Sequence, residues 1–514
     1  MRLLFFSFFA LVVTHPAIMK AQTEVSPLKE LWLTQVGTDE AFQLGTRVVT
    51  NSQGNAIFAG TGLCNTVATE SRIPCQTTIG NGYILLDDLA SIDDSQILGD
   101  LSPDGTALGL PFWMNTCDVS GVDFDDNGIE PNIAGEDVVV TDDDMVYLVS
   151  TCSEDPLLGN PNEAFLRVFD SALNPFPSAD GNTIVLSQPN GTQEEGRAVA
   201  IDHVPGDGND LIYVVGPVDI SSNSYIARYE QGAGGFAETL VFGTSDNEAT
   251  DADDVFVDAN GDIYVAGNTF GDFGPGANID DGSDIFVIKF NSSLEELWRR
   301  QIDIDVSQMG GFLDVNAIVV DSNGMVFVGG AIDNSNTNFS AFPFLVKLDP
   351  SDLSEPPFFG NLGDISFFHD ESFIEDLAVN SQDNILAVAR TDKSPLDDVF
   401  EPCAGILQFD NQATGFSFSW VHEIEDTSGY GLHIDSTTKD ILACGREVGG
   451  DIFVARFGLL GDVNCDGSVD LLDTSFFIDK TLTGTFCPKA DINCDGAVNL
   501  VDVAPFVQLV LANN

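Results

Sequence analysis

The chain has 514 residues, of which 81 are Asp or Glu and 19 are Lys or Arg, giving a formal charge of −62. Such acidity excludes a nucleic-acid partner, whose phosphates would be repelled. The length and a 43% hydrophobic content accommodate one large domain and one small one with an ample core, and acid spread over loops such as Asp251 to Asp254 and Asp280 to Asp284 describes a solvated surface.

Residues 1–21 begin Met1-Arg2, run through LLFFSFFALVV and end at Ala21, which predicts a signal peptide and a secreted or cell-surface protein. The apolar run stops at Thr14-His15-Pro16, short of the ~20 residues a spanning helix needs, and no other segment has the length and apolarity of a transmembrane helix. Nine cysteines in an exported chain suggest disulfides, with an odd one left over. Proximity in sequence favours Cys64 with Cys75; Cys117 with Cys152 and Cys403 with Cys444 are further candidates, and Cys465, Cys487 and Cys494 fall in the last segment, the connectivity being open.

From residue 48 onward a two-strand phrase recurs. It reads VVTNSQGNAIFAGT (48–61), VVVTDDDMVYLVST (138–151), VAIDHVPGDGNDLIYVVG (199–216), VFVDANGDIYVAGN (255–268), IVVDSNGMVFVGGA (318–331), LAVNSQDNILAVAR (377–390) and LHIDSTTKDILACG (432–445). Each is a pair of β-branched or aromatic runs around a polar turn, the pattern of a β-hairpin. A third apolar run follows each, at Tyr83, Phe165, Tyr225, Ile285, Phe344, Gly405 and Ile452, and starts differ by 90, 61, 56, 63, 59 and 55 residues. Four antiparallel strands per unit and seven units predict a mainly β, seven-bladed β-propeller over residues 28–458. LKELWLTQV (28–36) matches LEELWRRQI (294–302), the outer strand of the fourth unit, while the seventh unit ends at Phe457 with three strands. Residues Leu31 to Val36 are therefore expected to complete the last blade and remove its exposed edge.

In such a ring the starts of the first strands surround the channel. Two residues before each first-strand apolar position stand Thr46, Glu136, Arg197, Asp253, Asn316, Glu375 and Tyr430. This polar ring is expected at a wet channel mouth, with Glu136, Asp253 and Glu375 as acceptors for a small ligand or cation. Catalytic signatures are missing: there is no HExxH, GxSxG or phosphate loop, and LSPDGTALG (101–109) lacks the tryptophan of a sialidase Asp-box. His203, His369, His422 and His433 show no ligand spacing. The segment 121–137 has a partial calcium-loop pattern at Asp123, Asp125 and Asn127 but Ala134 at its twelfth position.

These units resemble the bacterial seven-bladed propeller (SBBP) repeat, in which valine, aspartate, two variable residues, glycine, asparagine or aspartate and an aromatic strand recur per blade. The fit is best at 255–268 and 318–331; at 138–151 and 432–445 the turn glycine is missing. The resemblance implies a propeller used as a binding or structural surface.

The tail carries GDVNCDGSVDLLD (461–473) and ADINCDGAVNLVD (490–502), offset by 29 residues. Loop positions one, three, five, nine and twelve are Asp462, Asn464, Asp466, Asp470 and Asp473, then Asp491, Asn493, Asp495, Asn499 and Asp502; Gly467 and Gly496 take position six, and the carbonyls of Ser468 and Ala497 position seven. Hard oxygen donors at this spacing wrap a Ca2+ ion, so two ions are expected. Apolar helices are predicted over 471–482 and 500–511, with Phe477, Ile478 and Leu482 aligned on Phe506, Val507 and Leu511 and Pro505 near the second helix's start.

Two calcium loops, each followed by a helix, with aspartate at position twelve, make residues 461–512 resemble a type I dockerin domain. That resemblance implies an α-helical, EF-hand-like module that attaches a secreted protein to a cohesin or cell-surface scaffold, often for polysaccharide catabolism. Its partner-reading positions, ten and eleven, are Leu471-Leu472 and Leu500-Val501 here, where cohesin-binding members often carry small hydroxyl residues, and Cys465 and Cys494 stand at position four. Two readings follow. One is a non-catalytic binding or structural protein with a calcium-dependent attachment tail. The alternative is an extracellular polysaccharide-degrading enzyme, a glycoside hydrolase or lyase, drawing on Glu136, Arg197, Asp253, Glu375 and Tyr430.

Overall fold

The computed structural model describes residues 26–36, 43–64, 93–108, 112–114, 132–153, 163–174, 183–185, 195–203, 210–219, 223–230, 236–246, 248–275, 283–303, 312–334, 340–351, 357–362, 365, 367–368, 372–392, 402–493 and 495–512. Seven four-stranded antiparallel sheets follow one another, each built from consecutive strands except the last. Blade four shows the unit: Thr250–Val257, Ile263–Thr269, Asp284–Phe290 and Glu296–Ile302 pair in chain order from the axis outward.

The hairpin phrase works through an Asx turn. In blade four the Asp258 Oδ1 accepts the amides of Asn260 and Asp262, and Gly261 adopts φ +77° to close the turn. Asn51, Asp321 and Asn380 do the same in blades one, five and six. Where glycine is missing, Asp144 (φ 63°), Asp383 (φ 61°) and Lys439 (φ 56°) take the left-handed position, so blades two and seven keep the hairpin despite their degraded phrase.

Ring closure follows the expectation. Leu28–Val36 pairs with Ile452–Leu459 as the fourth strand of blade seven, with Trp32 opposite Arg456 and Val36 opposite Ile452. The Trp32 indole donates to the Pro103 carbonyl of blade one at 2.8 Å and lies against Gly105, where a Cβ would sit 2.7 Å from the ring. The closing strand thus also clasps the first blade. Buried apolar side chains form one cluster in each of the seven gaps between blades, from Val48, Phe58, Ile452 and Val454 in the seven-to-one gap to Phe327, Leu345, Leu407 and Phe409 between blades five and six.

Two expectations are corrected. The third strand of blade one is Asp93–Leu101, pairing Ala56 with Leu101, rather than the run at Tyr83, which lies outside the described residues. Its polar start, DDSQ, concealed it. Cys403 and Cys444 do not bridge: Cys403 is buried between blades five and six and Cys444 between blades seven and one. Cys75, Cys117 and Cys494, the side chains of Cys64 and Cys152, the leader, and Asp123, Asp125 and Asn127 all lie outside what is described.

After the propeller, α1 (Asp473–Thr483) and α2 (Val503–Ala512) follow the two acidic loops. Pro505 falls in the first turn of α2, as expected. Phe477 and Phe506 stack in parallel with centroids 4.0 Å apart, and with Val463, Val469, Ile492 and Val498 they form the small core of the tail. No helix among the described residues is long and apolar enough to cross a membrane.

Candidate functional site

Six of the seven mouth residues named from the sequence turn out to be the extra residue of a β-bulge in the innermost strand. Thr46, Glu136, Asp253, Asn316, Glu375 and Tyr430 are each skipped by the register, while Arg197 directly precedes its strand. A bulge re-aims the next side chain. Those next residues are Arg47, Asp137, Ala198, Asp254, Ala317, Asp376 and Gly431, and the four charged ones among them, Arg47, Asp137, Asp254 and Asp376, meet on the axis. Sequence reading stopped one residue short of them; the signal was the alternation of Asp in blades two, four and six with small residues in three, five and seven.

Arg47 from blade one ion-pairs with Asp137 at 3.2 Å, Asp254 at 3.6 Å and Asp376. Each aspartate also accepts the inner-edge amide of its own blade and of the next. Asp137 takes Val138 and Val199, Asp254 takes Val255 and Ile318, and Asp376 takes Leu377 and Leu432. Innermost strands expose an unpaired backbone edge to the channel, so these carboxylates satisfy amides that would otherwise need water. Burial pushes Asp137 up to about 6 and Asp254 up to about 7, against the opposing pull of Arg47. One guanidinium shared by three carboxylates thus floors the channel.

The floor bounds a cavity of about 660 Å3 lined by the inner strands, with Phe256 in its wall and Asn51, Ser52, Thr141, Asp142, His203 and Thr437 toward its rim. His433 also lines it, with Nε2 3.0 Å from Thr50 Oγ1. At the rim His203 Nδ1 lies 3.3 Å from Asp142 Oδ1 and 3.6 Å from Asp210 Oδ2, an inter-blade grouping that sequence spacing did not reveal.

The mouth residues do not line this cavity; six of them, all but Thr46, form two groups. Arg197 pairs with Asp253 at 3.2 Å and Glu195 at 3.0 Å, and Glu136 lies within its field. Burial pushes Glu136 up to about 7 and Asp253 up to about 8. On the other side Arg390 pairs with Glu375, stacks on Phe373 with 3.8 Å to the ring centroid, and approaches Tyr430 at 5.5 Å. Asn316 donates to the Ile374 carbonyl at 2.8 Å. The expected acceptors Asp253 and Glu375 are therefore engaged by arginines.

The tail loops are near copies. Asp462 accepts the amides of Asp466 and Gly467, and Asp473 those of Val463, Asn464 and Asp470. Asp491 accepts those of Asp495 and Gly496, and Asp502 those of Asn493 and Asn499. Gly467 and Gly496 both adopt φ +85°. Asp462, Asp473, Asp491 and Asp502 are buried, and burial raises Asp462 and Asp473 above the usual carboxylate range. Several oxygens turned inward with too little positive charge nearby make a donor set that fits a hard divalent cation.

Beyond the loops, α1 and α2 frame an apolar groove of about 400 Å3, floored by Phe477 and Phe506 and walled by Leu471, Leu482, Leu500 and Leu511. Leu482 and Leu500 are each 78% exposed. A contiguous apolar face is the exception on a soluble surface and marks an interaction site.

Seven sheets closed by a strand from the far end of the domain define a seven-bladed β-propeller, here joined to a two-loop, two-helix tail. No family model matches the chain, and no curated protein sequence does. Solved structures it resembles include the Dos1 propeller (9% identity, 84% of this chain and 96% of that one, TM-score 0.41). Others are the polysaccharide lyase Uly1 (10%, 81% and 90%, TM-score 0.46) and a protein of unknown function from Dyadobacter fermentans (10%, 84% and 100%, TM-score 0.45). These are distant likenesses of fold, and the blade count rests on the strand pairing.

Proposed function

We propose that this is a secreted, non-catalytic binding or structural protein with an SBBP-type propeller. In this reading the propeller is its recognition surface, and a dockerin-like tail attaches it to a cohesin-like or other scaffold protein. The observation that carries the reading is the apolar groove on α1 and α2, bounded by the very loop positions, Leu471 and Leu500, that such modules present to a partner. Leucine in place of small hydroxyl residues favours an apolar partner surface. Two Ca2+ ions would be held by Asp462, Asn464, Asp466, Asp470, Asp473 and the Ser468 carbonyl, and by Asp491, Asn493, Asp495, Asn499, Asp502 and the Ala497 carbonyl; when bound they supply the positive charge the buried carboxylates lack.

The test is affinity capture of exported proteins by the full chain and by Leu471→Asp/Leu500→Asp, with calcium or with chelator. A partner retained by the wild type in calcium and lost in the other arms supports the reading. Retention indifferent to both changes refutes it.

A second reading, a polysaccharide-degrading hydrolase or lyase, is favoured by Glu136 and Asp253 titrating near neutrality beside Arg197, with Tyr430 beside Arg390. It predicts reducing ends or unsaturated products from a polysaccharide panel, lost in Asp253→Asn and Tyr430→Phe. The arginine pairing of Asp253 and Glu375 and their absence from the cavity wall support the binding reading instead.

A further inference from the structure

We propose that metal uptake by the tail loops and closure of the propeller ring are one coupled event, transmitted through a buried ionic seam between the tail and blade seven. The proposal rests on the calcium reading above and concerns the residues that join the first carboxylate of each loop to the propeller.

The seam begins at Arg456 in the blade-seven strand that receives the closing strand. Its side chain is 3% exposed and donates to the Gly54 carbonyl of blade one at 3.1 Å, to Asp435 at 3.0 Å and to Asp440 at 2.9 Å. The other oxygen of Asp440 pairs at 2.7 Å with Lys489, which also donates to the Thr438 carbonyl at 3.0 Å and reaches Asp462, first residue of loop one, at 3.4 Å. Loop two is tied in the same way. Lys29 on the closing strand lies 3.2 Å from both the Asp491 carboxylate and its carbonyl. The first carboxylate of each loop therefore faces a lysine that belongs to, or is anchored on, the closing blade.

Apolar packing follows the same path. Leu459 packs against both the core between blades six and seven and the core of the tail, and the Leu460 amide donates to the Pro27 carbonyl at 3.0 Å, beside the start of the closing strand. The tip of loop one also rests on the propeller: Gln382 Nε2 donates to Ser468 Oγ at 3.2 Å, and a Cβ on Gly467 would lie 2.5 Å from Ser381 Oγ. Gly496, its counterpart in loop two, has open space around it.

Without the metal, Asp462 and Asp491 each face one lysine while the buried Asp473 and Asp502 have only backbone amides, and the loops relax by moving apart. That movement strips Lys489 and Lys29 of their partners and uncovers Leu459 at the seam. By linkage, whatever stabilises the loops stabilises the closure to the same extent.

Hydrogen exchange of the full chain, with calcium chloride or after chelation, tests this. Chelation is expected to speed exchange on the order of tenfold in 28–36 and 452–459 together with 461–512, while 263–269 and 326–334 stay unchanged. In Lys29→Met/Lys489→Met the tail still responds to calcium but 28–36 does not; Ser381→Ala/Gln382→Ala, which touches the surface only, weakens the response. Calcium binding by titration calorimetry with a tail that loosens on chelation while 28–36 stays protected overturns the coupling and leaves the calcium reading intact. No calcium binding overturns both.

Discussion

Replacing Arg47 by Met removes the cation from the axial cage while keeping the length and apolar stem of the side chain. Asp137, Asp254 and Asp376 then share a buried space with no countercharge. Breaking a buried ion pair from one side costs about 3–5 kcal/mol. For the roughly 430 residues of the propeller, an unfolding entropy of about 2.1 cal/mol/K per residue amounts to about 0.9 kcal/mol/K, so the melting temperature should fall by about 3–6 °C at pH 8. The pH dependence gives a second signature. Asp137 and Asp254 have folded values of about 6 and about 7, above the 3.8 of an unperturbed aspartate, so their contribution is fully present below about pH 4 and is lost as pH rises through 6 to 7. The deficit of the variant arises from ionised carboxylates and should therefore shrink between pH 8 and pH 5. Calorimetry of the full chain with calcium, beside Arg47→Lys as an intermediate with one point charge, reads both effects. A variant melting like wild type at pH 8, or with the same deficit at pH 5, refutes the cage as a charge-balanced closure.

Gly467→Ala and Gly496→Ala impose the same left-handed strain at φ +85°, but only the first drives a methyl into Ser381, so its melting temperature should fall further. His433 is pushed down to about 4 by desolvation in the channel wall. Its contribution to stability is full above its unfolded value near 6.5 and is lost as pH falls toward 4, and a ring titration by NMR with a midpoint near 6.5 would contradict this. Metal analysis after dialysis against calcium should give two ions per chain, falling to one in Asp473→Asn or Asp502→Asn; an unchanged count in either variant would remove that loop from the site.

The ring was legible because its turns are local chemistry. An Asx side chain, a left-handed residue and two alternating apolar runs lie within fifteen residues, and the closing strand carried a copy of an outer strand with its Glu-Leu-Trp intact. Asp93–Leu101 was hidden because its polar first half looks like loop until Ala56 to Leu63 supply its partners. The axial cage was missed because a bulge shifts inward pointing by one residue, and only the folded ring brings Arg47 to aspartates 90, 207 and 329 positions away. The duplicated loop-helix pattern of the tail was legible from spacing, but Lys489 and Lys29 meet the loops only through tertiary packing.

The pairing of Leu28 with Leu459 spans 431 positions, whereas the other six sheets are assembled from neighbouring strands. As the polypeptide emerges in order, blades can form in turn while the earliest of these segments waits, unmatched, for the strand synthesised after all the others. Completion of the circle is then the slow step, and the segment made immediately afterwards is the one that settles over the junction.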